Sequence, residues 1–466
     1  MSAHSSASSG IGKRYRWREL GLLIIPFLLL LLAMTQLLII KLNGNTQSSL
    51  DLKNLPIIQG LTPILGLIAA LLVINIILSI FFRKADQILL PLVGLLSGIG
   101  VIMATRLGPL IKDSSLGSKQ LVWVIAGLLL CLATMFILRN ISILSRYKYT
   151  WVAASLLMVL PSVINGVRTF GTNAPTRDIL SIGTFGLQPS ELLKITIVIF
   201  FAAYLSENRE MLSQGYLRVG RLRLPPLRQL GPLLTMLGLS LIIFLVVRDL
   251  GLAMLIYSLF LCLIYLASNK LAYAIGGLLA FALLAFVGYS LLGYVRLRFA
   301  TVGINVVDWS QTSEQIYQQG GGAYQVVQGL IAVASGDIFG AGLGLGHPGF
   351  VPVIATDMVL TALGEELGLV GLFAIIGLYL LIIYRGYRIA IEATDPFNQL
   401  LAAGLTSIFA IQTLIISAGN LKFMPLTGIP LPFLSYGGSS LIANFIIVGI
   451  LLRISYNTAI ERDGMA

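Results

Sequence analysis

Glu365 and Glu366 stand side by side about two turns into a long apolar run, and Lys194 lies about one turn into another. Ionisable groups at membrane depth are costly, so they mark functional sites or paired internal contacts. A carboxylate there can accept backbone N–H groups or hold a proton. An ammonium can snorkel to the surface, pair with an acid or meet an anionic substrate group. Arg168 and Arg177 share the loop ahead of Lys194, which makes that region a candidate anion site. In GLQPSELLK, from Gly186 to Lys194, Pro189 and Ser190 read as cap-region residues and Glu191 as a first-turn acid. Arg248 and Asp249, at the junction of two apolar runs, read as an ion pair. His4 and His347 are the only histidines, and Cys131 and Cys262 fall within apolar runs. A histidine-based triad or a His/Cys zinc site therefore has nothing to draw on, and chemistry must rest on carboxylates, amines and hydroxyls.

Two segments are too rich in glycine and proline for unbroken helix. One is SGDIFGAGLGLGHPGFVPVIATD, from Ser335 to Asp357, followed by GEELGLVG from Gly364 to Gly371. The other is PLTGIPLPFLSYGGSS, from Pro425 to Ser440, set between two apolar runs. Lipid cannot hydrogen-bond the freed N–H and C=O groups of irregular backbone, so such a segment lines a cavity or packs between helices. That makes it, with Ser435 inside it, a candidate site.

The elements that must position these residues follow from composition. Hydrophobic residues make up 57% of the chain and charged residues 11%, and the mean hydropathy is +0.92. That is more apolar surface than a soluble core of 466 residues can bury. The fold expected is an all-α polytopic membrane protein with twelve spans, at 20–40, 57–82, 87–104, 120–138, 149–165, 190–205, 229–247, 250–268, 272–292, 358–384, 398–418 and 433–453. The first follows a basic, Ser-rich tail over 1–18 and exceeds a signal-peptide core of about 7–15 residues, so it reads as an uncleaved anchor.

The net charge of +12 raises the question of nucleic acid, and its distribution answers it. With the N-terminus inside, 19 of the 31 Lys and Arg fall on the inner side and 11 on the outer, as the positive-inside rule expects. These charges serve topology and contact with membrane lipid headgroups, not nucleic acid. Both termini are then cytoplasmic, and the long loops 166–189 and 293–357 lie outside. Glycine-dense backbone in the second loop lets a ligand approach closely, and the apolar stretch within it argues for ordered re-entrant or interfacial structure.

Taken together, PLTGIPLPFLSYGGSS with Asn420 ahead of it, GLQPSELLK, RDLG, AYQVVQGLIA (Ala323 to Ala332), GAGLGLG, and Thr356-Asp357 followed by GEELG resemble the signature of the SEDS family (FtsW, RodA and SpoVE). The resemblance covers residues 87–456. It implies a ten-helix core preceded by two additional helices within 19–86, with a short cytoplasmic tail over 457–466. It also implies a peptidoglycan glycosyltransferase that polymerises lipid II at the outer face of the bacterial cytoplasmic membrane, for division or elongation, beside a class B penicillin-binding protein transpeptidase.

In that chemistry a carboxylate is the general base, while Arg, Lys or a divalent cation (Mg²⁺ or Mn²⁺) stabilises the departing diphosphate; no organic cofactor is expected. The family's outer-loop catalytic Asp follows a Pro-Trp pair. Here the loop reads NVVDWSQTSEQIYQQGGGAYQ from Asn305, so Asp308 precedes Trp309 and Gln311 lies near the expected acid. Asp308 is the first candidate base and Glu314 the second. Lys194, Arg177, Arg296, Arg298, Asp357, Glu365 and Ser435 are the candidate substrate contacts. Ala355 stands where many members have His. Two alternatives carry the same motifs: a lipid II flippase or transporter, since broken helices and buried carboxylates also describe carriers, and a non-catalytic lipid II-binding scaffold of the division or elongation machinery.

Overall fold

The computed structural model describes residues 16–43, 56–168, 180–182, 185–210, 217–219, 222–224, 227–305 and 323–465. Asp308, Glu314 and Arg177 lie outside the described residues. Each expected span is a helix. In chain order the elements are α1 (Trp17–Asn43), α2 (Pro56–Phe81), α3 (Leu89–Leu107), α4 (Leu116–Ile137), the short α5 (Ser142–Arg146) and α6 (Lys148–Arg168). A hairpin of β1 (Leu180–Ile182) and β2 (Phe185–Leu187) precedes α7 (Ser190–Glu207), and a second of β3 (Leu217–Val219) and β4 (Leu222–Leu224) precedes α8 (Leu227–Val247). There follow α9 (Leu250–Ser268), α10 (Leu271–Leu291), α11 (Gly293–Ala300), α12 (Ala323–Ser335), α13 (Val359–Glu392), α14 (Pro396–Asn420) and α15 (Gly438–Met465). The helical expectation stands, with two three-residue hairpins added in connecting segments.

Among the described residues nine of these helices are long and apolar enough to cross a membrane unaided. Of the other expected spans, α7 carries Glu191, Lys194 and Glu207 within its 18 residues, while α6 and α8 are apolar helices of 21 residues each. α14 is the hub. It packs on α7, α9, α13 and α15, and most of its surface is covered. At the other extreme α10 has no buried residue, and its exposed Leu279, Leu283 and Phe286 present the apolar face that lipid requires.

The added helices are not loose. Arg16, buried at the start of α1, pairs with Glu19 and donates to the carbonyls of Phe82 and Asp86 at the α2–α3 junction. Asp86 in turn accepts from Ile88 and Leu89 at the start of α3. The chain's two ends meet here, because Arg18 from α1 and Arg462 from α15 line one cavity. Both ends therefore lie on the same face, as an even number of spans demands.

Candidate functional site

At the opposite end of α13 and α14 the chain leaves helical geometry, and the backbone of 421–437 passes among the helices instead of across them. Ile429, Leu431, Phe433 and Leu434 are buried. Buried backbone needs a partner for each polar group, and here protein supplies several. Those partners come from three spans: Gln412 on α14 donates to Pro430 O (2.6 Å), Tyr379 on α13 to Pro432 O (2.5 Å) and Gln120 on α4 to Ser435 O (3.2 Å). The Ser435 hydroxyl accepts from Leu431 N–H and donates to Thr356 O, while Tyr436 N–H donates to Ala355 O. α3 comes so close that a Cβ on Gly100 would lie 2.8 Å from the carbonyls of Phe433 and Leu434. The segment packs between helices, one of the two arrangements its composition allows.

Lys194 belongs to this support. Its ammonium, fully buried, lies 2.6 Å from Glu191 and 3.3 Å from the Gln412 side-chain amide oxygen Oε1. Of the roles open to it, pairing with an acid is the one observed. Glu191 differs from the expectation of a helix-capping acid: Pro189 holds the cap position without a side-chain bond, and the Glu191 carboxylate turns inward to Lys194. The physical reason is burial, since an ammonium in the core needs a counter-charge one turn away more than the helix end needs an anion. Ser435 likewise spends its hydroxyl on backbone within the fold.

Glu365 and Glu366 face the glycine loop. Glu366 pairs with Arg106 (3.0 Å) and accepts from Gly344 N–H (3.1 Å); Glu365 accepts from His347 N–H (2.6 Å). Arg106 also donates to Gly346 O (2.8 Å). Two residues on, α13 breaks at Gly368 (φ +68°, ψ −171°), and Gly340 (φ +84°) presses against it. A Cβ at Gly368 would sit 2.3 Å from Gly340 N, so neither backbone tolerates a side chain there. The broken helix receives loop N–H groups at the Glu365 and Glu366 carbonyls and donates back from Leu369 and Val370. α12 packs on the same stretch of α13, which gives the apolar loop segment the ordered structure expected of it.

Above these supports is the rim. Arg298, from α11, donates to Leu426 O (2.9 Å) and Thr427 O (3.2 Å). Asp357 lies across from it, close enough to Gly428 that a Cβ there would be 3.4 Å from Asp357 Oδ2, and Asn420 holds the Asp357 carbonyl (3.1 Å). Burial pushes the Asp357 carboxyl above the usual carboxylate range, against the opposing pull of a Thr356 hydrogen bond and the Arg298 charge. Burial likewise raises Tyr294, on α11, whose ring lies 5.7 Å from the Arg248 guanidinium. Asp249 caps α9 by accepting from Leu252 N–H (3.0 Å). Arg296 points elsewhere: it stacks on Tyr289 (5.7 Å) and donates to Ser290 O (3.1 Å), an interfacial anchor. The β1–β2 hairpin reaches the same end, where Gln188 N–H donates to Ser439 (3.0 Å).

The structure thus brings Arg298, Asp357 and Ser435 to one end of the bundle, with Ser435 one layer beneath the rim. Lys194 and Glu365 are committed to internal contacts. Arg106, Gln120, Tyr379 and Gln412 escaped sequence reasoning; their signal was a polar side chain inside or at the end of an apolar run. Among the described residues no group of three His, Cys, Asp or Glu is placed to hold a metal ion.

The family model described as "Cell cycle protein", FtsW/RodA/SpoVE, matches residues 86–460. The peptidoglycan glycosyltransferase RodA of Mycobacterium leprae is 36% identical over 386 residues, covering 81% of this chain and 79% of that protein. A probable peptidoglycan glycosyltransferase FtsW of Trichlorobacter lovleyi is 29% identical over 387 residues, covering 80% and 94%. Among solved structures, a chain of a peptidoglycan synthase complex that coordinates polymerization and crosslinking superposes with a TM-score of 0.60 at 24% identity, covering 80% of this chain and 98% of that one. The rod shape determining protein RodA of Thermus thermophilus superposes with a TM-score of 0.52 at 22% identity, covering 80% and 96%.

Proposed function

The chain belongs to the FtsW/RodA/SpoVE family, and on that basis we propose that it is a peptidoglycan glycosyltransferase that polymerises lipid II into glycan strands at the outer face of the bacterial cytoplasmic membrane, for cell division or elongation. The observation that carries this reading is the 36% identity to RodA, sustained over about four-fifths of both chains. The geometry agrees with it. An arginine and a carboxylate whose charge is held in check by burial face one another at the end of the bundle from which the long loop rises.

The reaction joins two lipid-linked sugars. A hydroxyl of the acceptor attacks the anomeric carbon of the donor, the new C–O bond forms, and the bond from that carbon to the lipid diphosphate breaks. The hydroxyl proton passes to a general base, which we assign to Asp308, with Glu314 as second choice. Arg298 is the cation of the rim best placed to balance charge on the departing diphosphate. Asp357 orients the loop and substrate across from it. Asp357 would be the residue to hold Mg²⁺ or Mn²⁺, since such an ion, when it acts beside phosphates, needs only one or two protein carboxylates and no clustered cage. Such an ion would supply further neutralisation of the leaving group.

Both ends of the chain are read as cytoplasmic, a reading supported by the distribution of the basic clusters under the positive-inside rule. A class B penicillin-binding protein is the transpeptidase partner that crosslinks the product. The test is polymerisation by purified protein and partner on labelled lipid II with the divalent cation. Asp308→Ala is expected to abolish glycan strands, and Glu314→Ala to do so if the second assignment holds. Strands undiminished in both variants would refute the base assignment.

A further inference from the structure

A cavity lies at the far end of α13 from the rim just described, where its last turns meet the starts of α1 and α3 and the end of α15. It has two lobes, of about 530 and 650 Å³, which share Arg18, Lys84 and Asp463. Both volumes are within the range of about 300–1,000 Å³ typical of small-molecule sites.

Its charge is unbalanced. Six cations line it: Arg18, Arg83, Lys84, Arg385, Arg388 and Arg462. Three acids line it as well, and each is engaged. Asp86 pairs with Arg385 and Asp463 with Lys84, while Glu392 is shared between Arg388 (2.8 Å) and Arg462 (3.8 Å). Arg18, exposed, has no ion pair or hydrogen bond among the described residues. The lining thus carries three more cations than acids, spread across both lobes.

Its depth is marked by Trp17, which lines the second lobe and is 61% exposed, as an indole at headgroup level should be. From the mouth an apolar track runs along α1 through the exposed Leu22, Ile25 and Leu29, one helical face leading into the bilayer. A soluble anion would use the cations and ignore the track. A lipid would use both.

We propose that this two-lobed basic cavity is a binding site for an anionic glycerophospholipid, with a bis-phosphate headgroup spanning the lobes and acyl chains lying along α1. Basic pockets between helix ends are where such headgroups bind. Trp17, Arg18, Leu22, Arg83 and Lys84 of the site precede the family-matched residues 86–460, and most of the rest of its lining belongs to the matched core. A bound lipid therefore fastens the added helices to the core. The proposal goes beyond glycan polymerisation and stands whether or not that reading holds.

Native mass spectrometry of the full-length protein, released from mixed micelles, tests it with diphosphatidylglycerol, phosphatidylethanolamine and inorganic pyrophosphate as probes. Wild type is expected to retain diphosphatidylglycerol at least tenfold better than phosphatidylethanolamine. Arg18→Gln with Arg388→Gln should reduce retention to the phosphatidylethanolamine level, and Lys112→Gln, an exposed cation on the opposite face, should leave it unchanged. Because a double variant can lose folded protein, Arg18→Gln alone serves as the second measurement, with a several-fold loss expected. Equal retention of the two lipids, or no effect of Arg18→Gln, would overturn the proposal. Full displacement by pyrophosphate at equal concentration would overturn it too, assigning the site to a soluble phosphate compound.

Discussion

Asp357 is the rim residue whose titration has consequences. Its carboxyl is raised by burial, so the folded protein binds a proton more tightly there than the unfolded chain does. Stability from this group is greatest at acid pH, below the unfolded value of about 3.9, and declines as pH climbs through the raised folded value. Asp357→Asn should flatten that decline in thermal-shift scans run upward from about pH 4, and glycan synthesis by the variant should fall roughly tenfold to a hundredfold if the charged form positions substrate. A second prediction concerns Arg106. Removing its guanidinium leaves Glu366 buried without its cation, so Arg106→Ala should cost about 3–5 kcal/mol in denaturation of detergent-solubilised protein. Glu365 and Glu366 stood out in the sequence because carboxylates are rare at that depth. Arg106 did not, because it is 260 positions away and only the fold brings it to 3.0 Å.

Helices were legible where composition alone decides them: an apolar run of sufficient length has no other stable state in lipid. The breaks were legible only in part. Pro425 to Ser440 announced itself by its prolines, whereas Gly368 sits inside GEELGLVG, a string that reads equally well as continuous helix. What breaks α13 is the loop backbone at Gly340, a tertiary contact without local signal. Gly368→Ala should therefore destabilise by at least about 1–3 kcal/mol from backbone strain, before the clash is counted, visible as a lowered thermal midpoint. The partners of the irregular segment were hidden for a similar reason, since a lone Gln or Tyr in a span has many possible uses. Gln412→Leu should cost about 1–3 kcal/mol by stranding Pro430 O and loosening Lys194. Loss of polymer at unchanged thermal midpoint would contradict a purely supporting role for Gln412.

At the scale of the molecule, the charge distribution along the sequence predicts one orientation, with α11, the glycine loop and the rim outside. In a Cys131→Ala, Cys262→Ala background, an impermeant thiol reagent added to intact cells should label Lys112→Cys and spare Asp463→Cys. The reverse would turn the proposed site toward the cytoplasm, where the product is of no use. The fold was legible because hydropathy reports on the bilayer directly. The catalytic base was not, because the loop from 306 to 322 departs from the family's pattern at the position that matters. The most direct test of the central claim is a single reconstitution of wild-type protein in sealed proteoliposomes with its transpeptidase partner, a divalent cation and labelled lipid II, read for both glycan strands and movement of label between leaflets. Polymerisation of the lipid II exposed on the face of the rim is the result predicted here. Transfer of label across the bilayer with no strand formed would contradict it.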